Sequence, residues 1–377
     1  MLDTVKLMLD KTMFEVDSRY FYKERENATR GYCTYVQNPV KSEQLEGVCK
    51  PRLSLTNRFN CTGKQGLTLS IEFSAPKLIF NGNNFDELQN SDFPKVFDVL
   101  QRMLLEMGVR ILPTALTAAP VSAIHYSKNI PLTDGTTPHY IISKIEQANV
   151  SLAIGTNRGN YLNGGFCYKQ HTNLYEYAFY DKLKELQDAK VSEKDTEEKG
   201  YASQLGLFND LRGPKEVLRM EIRLNSKAMI QKTLSAVGVS NDLTFGSLFK
   251  QEISQKVLLS VLQKIEDQRP KAIDSTATTK EYLANLQLAY PKSNPKYLLS
   301  KLGLKNALSD IPTRELRAMF PSYDQRNWYG LMAEAKKLPL VKGRDPFVTV
   351  RSHLVEFKPL KLVDFQDSLI KNDKYGK

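Results

Sequence analysis

Leu218-Arg219-Met220-Glu221-Ile222-Arg223-Leu224 alternates apolar and charged residues without a break. Successive side chains of a β-strand point to opposite faces, so Leu218, Met220, Ile222 and Leu224 line one side and Arg219, Glu221 and Arg223 the other. A strand of this kind belongs to a sheet with one face against a core and the other polar. The same period recurs upstream. In Leu67–Phe73, Leu69, Ile71 and Phe73 oppose Ser70, Glu72 and the following Ser74. In Val121–Ser127, Val121, Ala123, His125 and Ser127 share a face. In Asn173–Lys182, Leu174, Glu176, Ala178 and Tyr180 alternate with Tyr175, Tyr177 and Phe179.

Outward from these strands the period changes. Val96, Val99, Leu100, Met103, Leu104 and Met107 recur at helical spacing, with Asp92 as cap, Pro94 in the first turn and Gly108 as the stop. Further helices are expected near Tyr140–Gln147, directly after Tyr180, and from Leu224 to about Ala236. Strands are expected at Lys77–Phe80 and Tyr161–Tyr168, and short β segments through the first 60 residues. Residues Ala189–Gly200, almost free of large apolar groups, read as an exposed excursion. These patterns predict an α+β fold: a mostly antiparallel central sheet with helices on one face, followed by a mainly helical C-terminal region. The division is placed near residue 240, giving a core over 1–240 and a helical, basic region over 241–377.

The formal charge of +11 over 377 residues favours a polyanionic partner, nucleic acid foremost, although a generic basic protein fits the charge equally. From Lys292 to Lys377 there are 17 Lys and Arg against 9 Asp and Glu, so much of the basic excess lies in the helical region. That suits a surface for duplex DNA or, more plainly, a solvated helical face. The four cysteines, Cys33, Cys49, Cys61 and Cys167, form no Cys-x-x-Cys pair, which argues against structural zinc and against a disulfide framework. With Asp3, Lys6, Asp10 and Lys11 in the first turns of chain, no secretion signal is read, no membrane partner is expected, and a cytoplasmic location is.

If the strands are neighbours, Glu72, His125 and Glu221 meet on the polar face with Tyr180 nearby. Two carboxylates and an imidazole are suitable ligands for Mg²⁺ or Mn²⁺. A cation held there would polarise a phosphodiester, and a tyrosine beside it could attack. Lys182 and Arg219 could lower the tyrosine pKa and hold a phosphate. Each residue also has a plain alternative. Glu221 between two arginines fits a surface ion-pair ladder, His125 a satisfied core histidine, and Tyr180 a packing tyrosine among many.

Read in order, Ile71-Glu72-Phe73-Ser74-Ala75-Pro76-Lys77-Leu78, Ile124-His125-Tyr126-Ser127, Phe179-Tyr180-Asp181-Lys182-Leu183-Lys184-Glu185 and Leu218–Leu224 resemble the blocks of trans-acting rolling-circle replication initiators of small plasmids. Filamentous-phage replication endonucleases and some relaxases are the wider relatives. The resemblance covers residues 65–235, and the tyrosine block and the arginine–glutamate strand carry most of it.

The resemblance implies a metal-dependent nicking and joining endonuclease. Tyr180 would attack one DNA strand at an origin, keep the 5′ phosphate and leave a 3′ hydroxyl for a polymerase. The acidic metal ligands fall on Glu72 and Glu221, and the third ligand, usually an aspartate, falls on His125. His171 is a second candidate imidazole. Glu185 would be a base or outer ligand, and Tyr168, Tyr175 and Tyr177 fallback nucleophiles. The implied partners are origin DNA, single-stranded or hairpin at the nick and duplex nearby, with a host helicase and polymerase and a second subunit as further candidates. Two rivals are a conjugative relaxase of the same chemistry and a DNA-binding regulator without catalysis.

Overall fold

The alternating segment forms β12, Val217–Leu224, inside a ten-stranded sheet. In the computed structural model, residues 1–27, 32–39, 43, 48–59, 65–83, 85–147, 157–161, 167–185, 216–239, 242–322 and 324–361 are described, and statements below concern those. The strands in chain order are β1 Leu2–Asp10, β2 Glu15–Val16, β3 Tyr22–Asn27, β4 Tyr32–Gln37, β5 Arg52–Phe59, β6 Gln65–Ser74, β7 Val109–Arg110, β8 Val121–Pro131, β9 Asn157–Tyr161, β10 Cys167–His171, β11 Tyr175–Asp181 and β12. The sheet order is β3-β4-β5-β6-β1-β8-β12-β11-β10-β9, and every neighbouring pair is antiparallel. β2 and β7 pair separately.

Two meanders, β3 to β6 and β9 to β12, are thus joined through β1 and β8. Strands consecutive in the chain usually pair as neighbours, and β11 and β12 do so although residues 182–216 lie between them. The first strand of the chain sits near the middle, between β6 and β8. Its pairing with β8 shifts register between Leu2 and Val5, so that both side chains enter the core while Asp3 is carried to the polar face.

The apolar face is covered by helices. The covering helices are α1 Ala75–Ile79, α2 Phe93–Glu106, α3 Pro113–Thr117, α4 Pro138–Gln147, α5 Lys227–Ala236, α6 Phe245–Leu248, α7 Gln251–Gln268 and α12 Val348–Glu356; between the last two run α8 Thr279–Ala289, α9 Pro295–Asp310, α10 Thr313–Ala318 and α11 Gln325–Lys336. One continuous core unites Leu218, Met220, Ile222 and Leu224 with Leu7, Ile71, Ile124, Leu100 of α2, Ile142 of α4, Ile230 of α5, Leu258 of α7 and Val350 of α12. The fold is therefore α+β, with an antiparallel sheet layered by helices and a helical C-terminal region.

Three expectations change in detail. Lys77–Phe80 is not a strand; Pro76 starts the short helix α1, where its missing N–H costs nothing. The strand expected over Tyr161–Tyr168 is two strands, β9 and β10, paired with each other. The core does not divide at residue 240. Helices α6, α7 and α12 belong to the sheet's own layer, and only α8–α11 build separate cores, one around Tyr282 and Leu286 and one around Trp328. The stretch Ala189–Gly200 lies outside the described residues.

Gly108 ends α2 at φ +75°, and a Cβ there would lie 2.6 Å from the Tyr20 ring. An L side chain disfavours that conformation, and Tyr20, itself half exposed, would have to move. Gly108→Ala is expected to cost about 1–2 kcal/mol, read as a lowered urea midpoint at unchanged slope.

Candidate active site

Register decides which side chains meet. β11 pairs with β12 so that Tyr180 faces Arg219, Ala178 faces Glu221 and Glu176 faces Arg223. β12 pairs with β8 so that Arg219 faces Asn129, Glu221 faces Ser127 and Arg223 faces His125. All of these lie on the face opposite the apolar stripe. Tyr175, Tyr177 and Phe179 point into the core, together with Tyr168 of β10. Tyr180 is thereby set apart from the other tyrosines of its strand and the next.

The Tyr180 hydroxyl donates to Glu221 Oε2 at 2.9 Å. Arg223 Nε donates to the other oxygen, Oε1, at 2.7 Å. Arg219 Nε lies 3.7 Å from Glu221 Oε2, and its terminal nitrogens reach Asp3 Oδ2 at 2.8 Å and Asn129 Oδ1 at 3.2 Å. His125 Nδ1 is 3.7 Å from Glu221 Oε1. Arg223 Nη1 and Lys169 Nζ both approach Glu176 Oε1, at 3.0 and 3.5 Å. Asp3 also accepts from Ser74 Oγ at 3.3 Å. Tyr180, Glu221, Arg219 and Asn129 are buried, while Arg223, His125, Glu176 and Lys169 are partly open to solvent.

Charges this close set one another's titration. Burial raises the Tyr180 phenol well above its ordinary value and outweighs the opposing pull of Arg219. Burial also disfavours the Glu221 carboxylate, but Arg219 and Arg223 more than offset that and hold it at about 2. Burial pushes the His125 imidazole down, against the attraction of Glu221. At neutral pH the arrangement is a neutral phenol hydrogen-bonded to a carboxylate clasped by two guanidinium groups. Lys182, fully buried at the end of β11, has its ammonium pushed down to about 8, by burial first and by Arg219 next. It donates to Glu185 Oε2 at 2.8 Å.

The Glu221 shift has a sign that can be tested. Its folded pKa lies below the ordinary 4.5, so its contribution to stability is complete above about pH 4.5 and is lost as pH falls toward 2. The loss should amount to roughly 3 kcal/mol at most. Urea midpoints measured between about pH 5 and pH 2 should fall more steeply for the parent chain than for Glu221→Gln. Parallel slopes would contradict the shift.

The expected metal ligands are not brought together. Glu72 lies on β6, separated from β12 by β1 and β8, so three strand spacings, about 14 Å, divide it from Glu221. Glu72 instead pairs with Lys6 Nζ at 3.2 Å. His125 and Glu221 are neighbours, but a divalent ion on Glu221 would have to displace Tyr180 and Arg223 and sit beside Arg219. That crowd of cations opposes a third positive charge. Among the described residues no group of three or more His, Cys, Asp and Glu is placed to hold a metal ion. As arranged, Glu72, His125 and Glu221 do not form one cation site. His171 faces Glu176 across β10 and β11, on the polar face but beyond the Tyr180–Glu221 pair.

Asp3 and Asn129 complete the cluster without having stood out in the sequence. Asn129 is buried near the end of β8, beside the buried Ser127 and Lys128; Glu87 accepts from its backbone N–H at 2.5 Å, while its side chain donates to Phe85 O at 2.7 Å. β8 also carries Ser122, His125, Ser127 and Lys128, so a further amide gave no distinct signal in the sequence. Asp3 carried none, because only the register shift in β1 aims it at Arg219.

Comparison with models of protein families, with curated proteins and with solved structures finds no match to this chain. Among the described residues no helix is long and apolar enough to cross a membrane.

Proposed function

We propose that the chain is a replication initiator that nicks one DNA strand at an origin, with Tyr180 as the nucleophile. The observation that carries the reading is the hydrogen bond from the Tyr180 hydroxyl to Glu221, with Arg219 and Arg223 on the same carboxylate. Those four residues stand in the two blocks most like the rolling-circle initiators. A basic chain of net charge +11 is suited to the polyanion such a reaction needs. The reaction belongs where the replicating DNA is, in the cytoplasm.

The chemistry follows from the charges. A scissile phosphate settling on the half-open Arg223, and on Arg219 behind it, draws their positive charge away from Glu221. The carboxylate becomes more basic as its partners are shared. The phenolic oxygen then bonds to phosphorus as its proton passes to Glu221 Oε2. The bond from phosphorus to O3′ breaks, and O3′ leaves as a hydroxyl, its proton returned from Glu221 through solvent. Lys182 and Arg219 stabilise the charge that collects on the phosphoryl oxygens. Reversal by a 3′ hydroxyl rejoins the strand.

A second reading, a DNA-binding regulator without catalysis, is favoured by the burial of Tyr180 beside a Glu221 that already pairs with Arg223 and Arg219. One assay separates the two. Supercoiled plasmid bearing the chain's own origin is incubated with the protein in Mg²⁺, in Mn²⁺ and in a chelator, because the three expected ligands do not converge on one ion. Open circles with protein on the 5′ end in any of these support the nickase. Tight origin binding with no nick in any of them supports the regulator.

A further inference from the structure

Helix α11 is anchored on one side and open on the other. Trp328, Met332 and Ala335 are buried against Leu308 of α9 and Leu316 of α10. The flank beside them presents Gln325, Arg326, Tyr329, Gly330, Ala333 and Lys337, all exposed and spaced as one stripe of a helix, with Gln325 Nε2 donating to Tyr329 Oη at 2.7 Å. The carboxylates that border the stripe, Asp324 and the exposed Glu334 one turn beyond Gly330, both have partners. Asp324 is turned to capping, accepting from Asn327 N at 2.8 Å and Asn327 Nδ2 at 2.5 Å. Glu334 is paired with the buried Lys301.

The stripe also has the shape for close approach. A Cβ on Gly330 would meet nothing within 4 Å, and Ala333 adds only a methyl group, so the middle of the helix is low and open. Its N-terminal end carries an amide and a guanidinium, the groups that pair two-fold with adenine and guanine in the major groove. Its C-terminal end carries a lysine suited to a phosphate, about 18 Å away along the axis. From Thr279 to Arg344 there are twelve Lys and Arg against five Asp and Glu. A helix face of this length that carries Arg326 and Lys337, with its bordering carboxylate Glu334 paired to Lys301, is complementary in charge to a duplex.

We propose that α11 enters the major groove of duplex DNA, with Gln325 and Arg326 toward base edges and Lys337 on the backbone. This rests on the reading of the chain as an origin-binding protein, to which it adds the element that recognises the duplex. It makes sense of a nucleophile on the sheet and a separate helical unit built around Trp328.

The test uses the full chain and a pool of duplex DNA with a randomised core, selected by binding. The parent should enrich a sequence in which guanine and adenine lie close together. Arg326→Ala should lose the preference at the guanine and bind the selected duplex about tenfold more weakly. Ala333→Glu places a carboxylate mid-stripe, away from the Trp328 core, and should lose most duplex binding. Fluorescence of Trp328, the only tryptophan, reports that both variants are folded. No enriched sequence for the parent, or parental binding by both folded variants, would overturn the proposal. So would an equal loss of single-stranded DNA binding, which would mark the stripe as a general anion surface. Adduct formation on single-stranded oligonucleotides tiled across the DNA that encodes the chain is read separately and should survive in both variants. A parent that forms no adduct but selects a duplex through Arg326 would sink the nickase reading and leave α11 as the recognition helix.

Discussion

Arg219→Ala should destabilise the chain by about 3–5 kcal/mol, the largest stability effect of any single substitution in the site. The guanidinium is buried and serves Asp3, Asn129 and Glu221 together, across strands β1, β8 and β12. Removing it leaves two carboxylates in a poorly hydrated place with one positive charge fewer. Part of the cost is the desolvation of the Glu221 carboxylate, whose pKa Arg219 holds low, so its protonation should relieve it and the deficit should shrink as pH falls below about 4. Arg219→Lys should recover only part, because a point-like ammonium cannot donate in three directions within one plane. Urea titrations of the three proteins at two pH values measure this directly. A cost below about 1 kcal/mol at neutral pH would show that the cluster is stabilised mainly by water.

Tyr180→Phe should reduce strand cleavage by about 10⁴-fold or more, to background, because the attacking oxygen itself is gone. The same change removes one neutral hydrogen bond to Glu221, worth about 1 kcal/mol, so the protein should remain folded. The contrast between a small stability effect and a complete loss of cleavage separates a nucleophile from a packing residue. Tyr177→Phe serves as the comparison. Its ring lies in the core beside Tyr175, with centroids 5.3 Å apart, and its loss of hydroxyl should leave cleavage intact. Cleavage that survives in Tyr180→Phe and disappears in another tyrosine variant would move the nucleophile.

The alternation in Leu218–Leu224 was enough to place four apolar side chains in the core and three charged ones opposite, because a strand's period leaves no other choice. The same reasoning on Asn173–Lys182 correctly separated Tyr180 from Tyr175 and Tyr177. Helix α2 was legible from its spacing, its proline and its terminal glycine, all of them local signals. Pairing between distant strands was not. Nothing in the residues themselves says that β1 and β8 lie between β6 and β12, and that insertion is what parts Glu72 from Glu221. A common face was readable; the distance across that face was not.

The limits of the domain division have a similar cause. Helix α7 reads as an amphipathic segment wherever it sits, and its apolar face could have been buried in a separate bundle. It covers β8 and β12 instead, together with α12 from near the end of the described chain. The C-terminal segment is tied in further by Lys128, which donates to Lys358 O at 2.8 Å, and by Leu360 N, which donates to Glu87 at 2.8 Å. Contacts between residues more than two hundred positions apart leave no local trace in sequence. The small unit of α8–α11 is what remains of the expected second region.

The central claim is that one oxygen, Tyr180 Oη, becomes bonded to DNA. The most direct measurement is to trap the protein on cleaved origin DNA, digest both components, and map the nucleotide-bearing peptide by mass spectrometry. A phosphodeoxynucleotide on Tyr180 itself, absent from the Tyr180→Phe protein, is the predicted result. A modified peptide that carries its nucleotide on another residue, or cleaved DNA with no bound peptide, would contradict it.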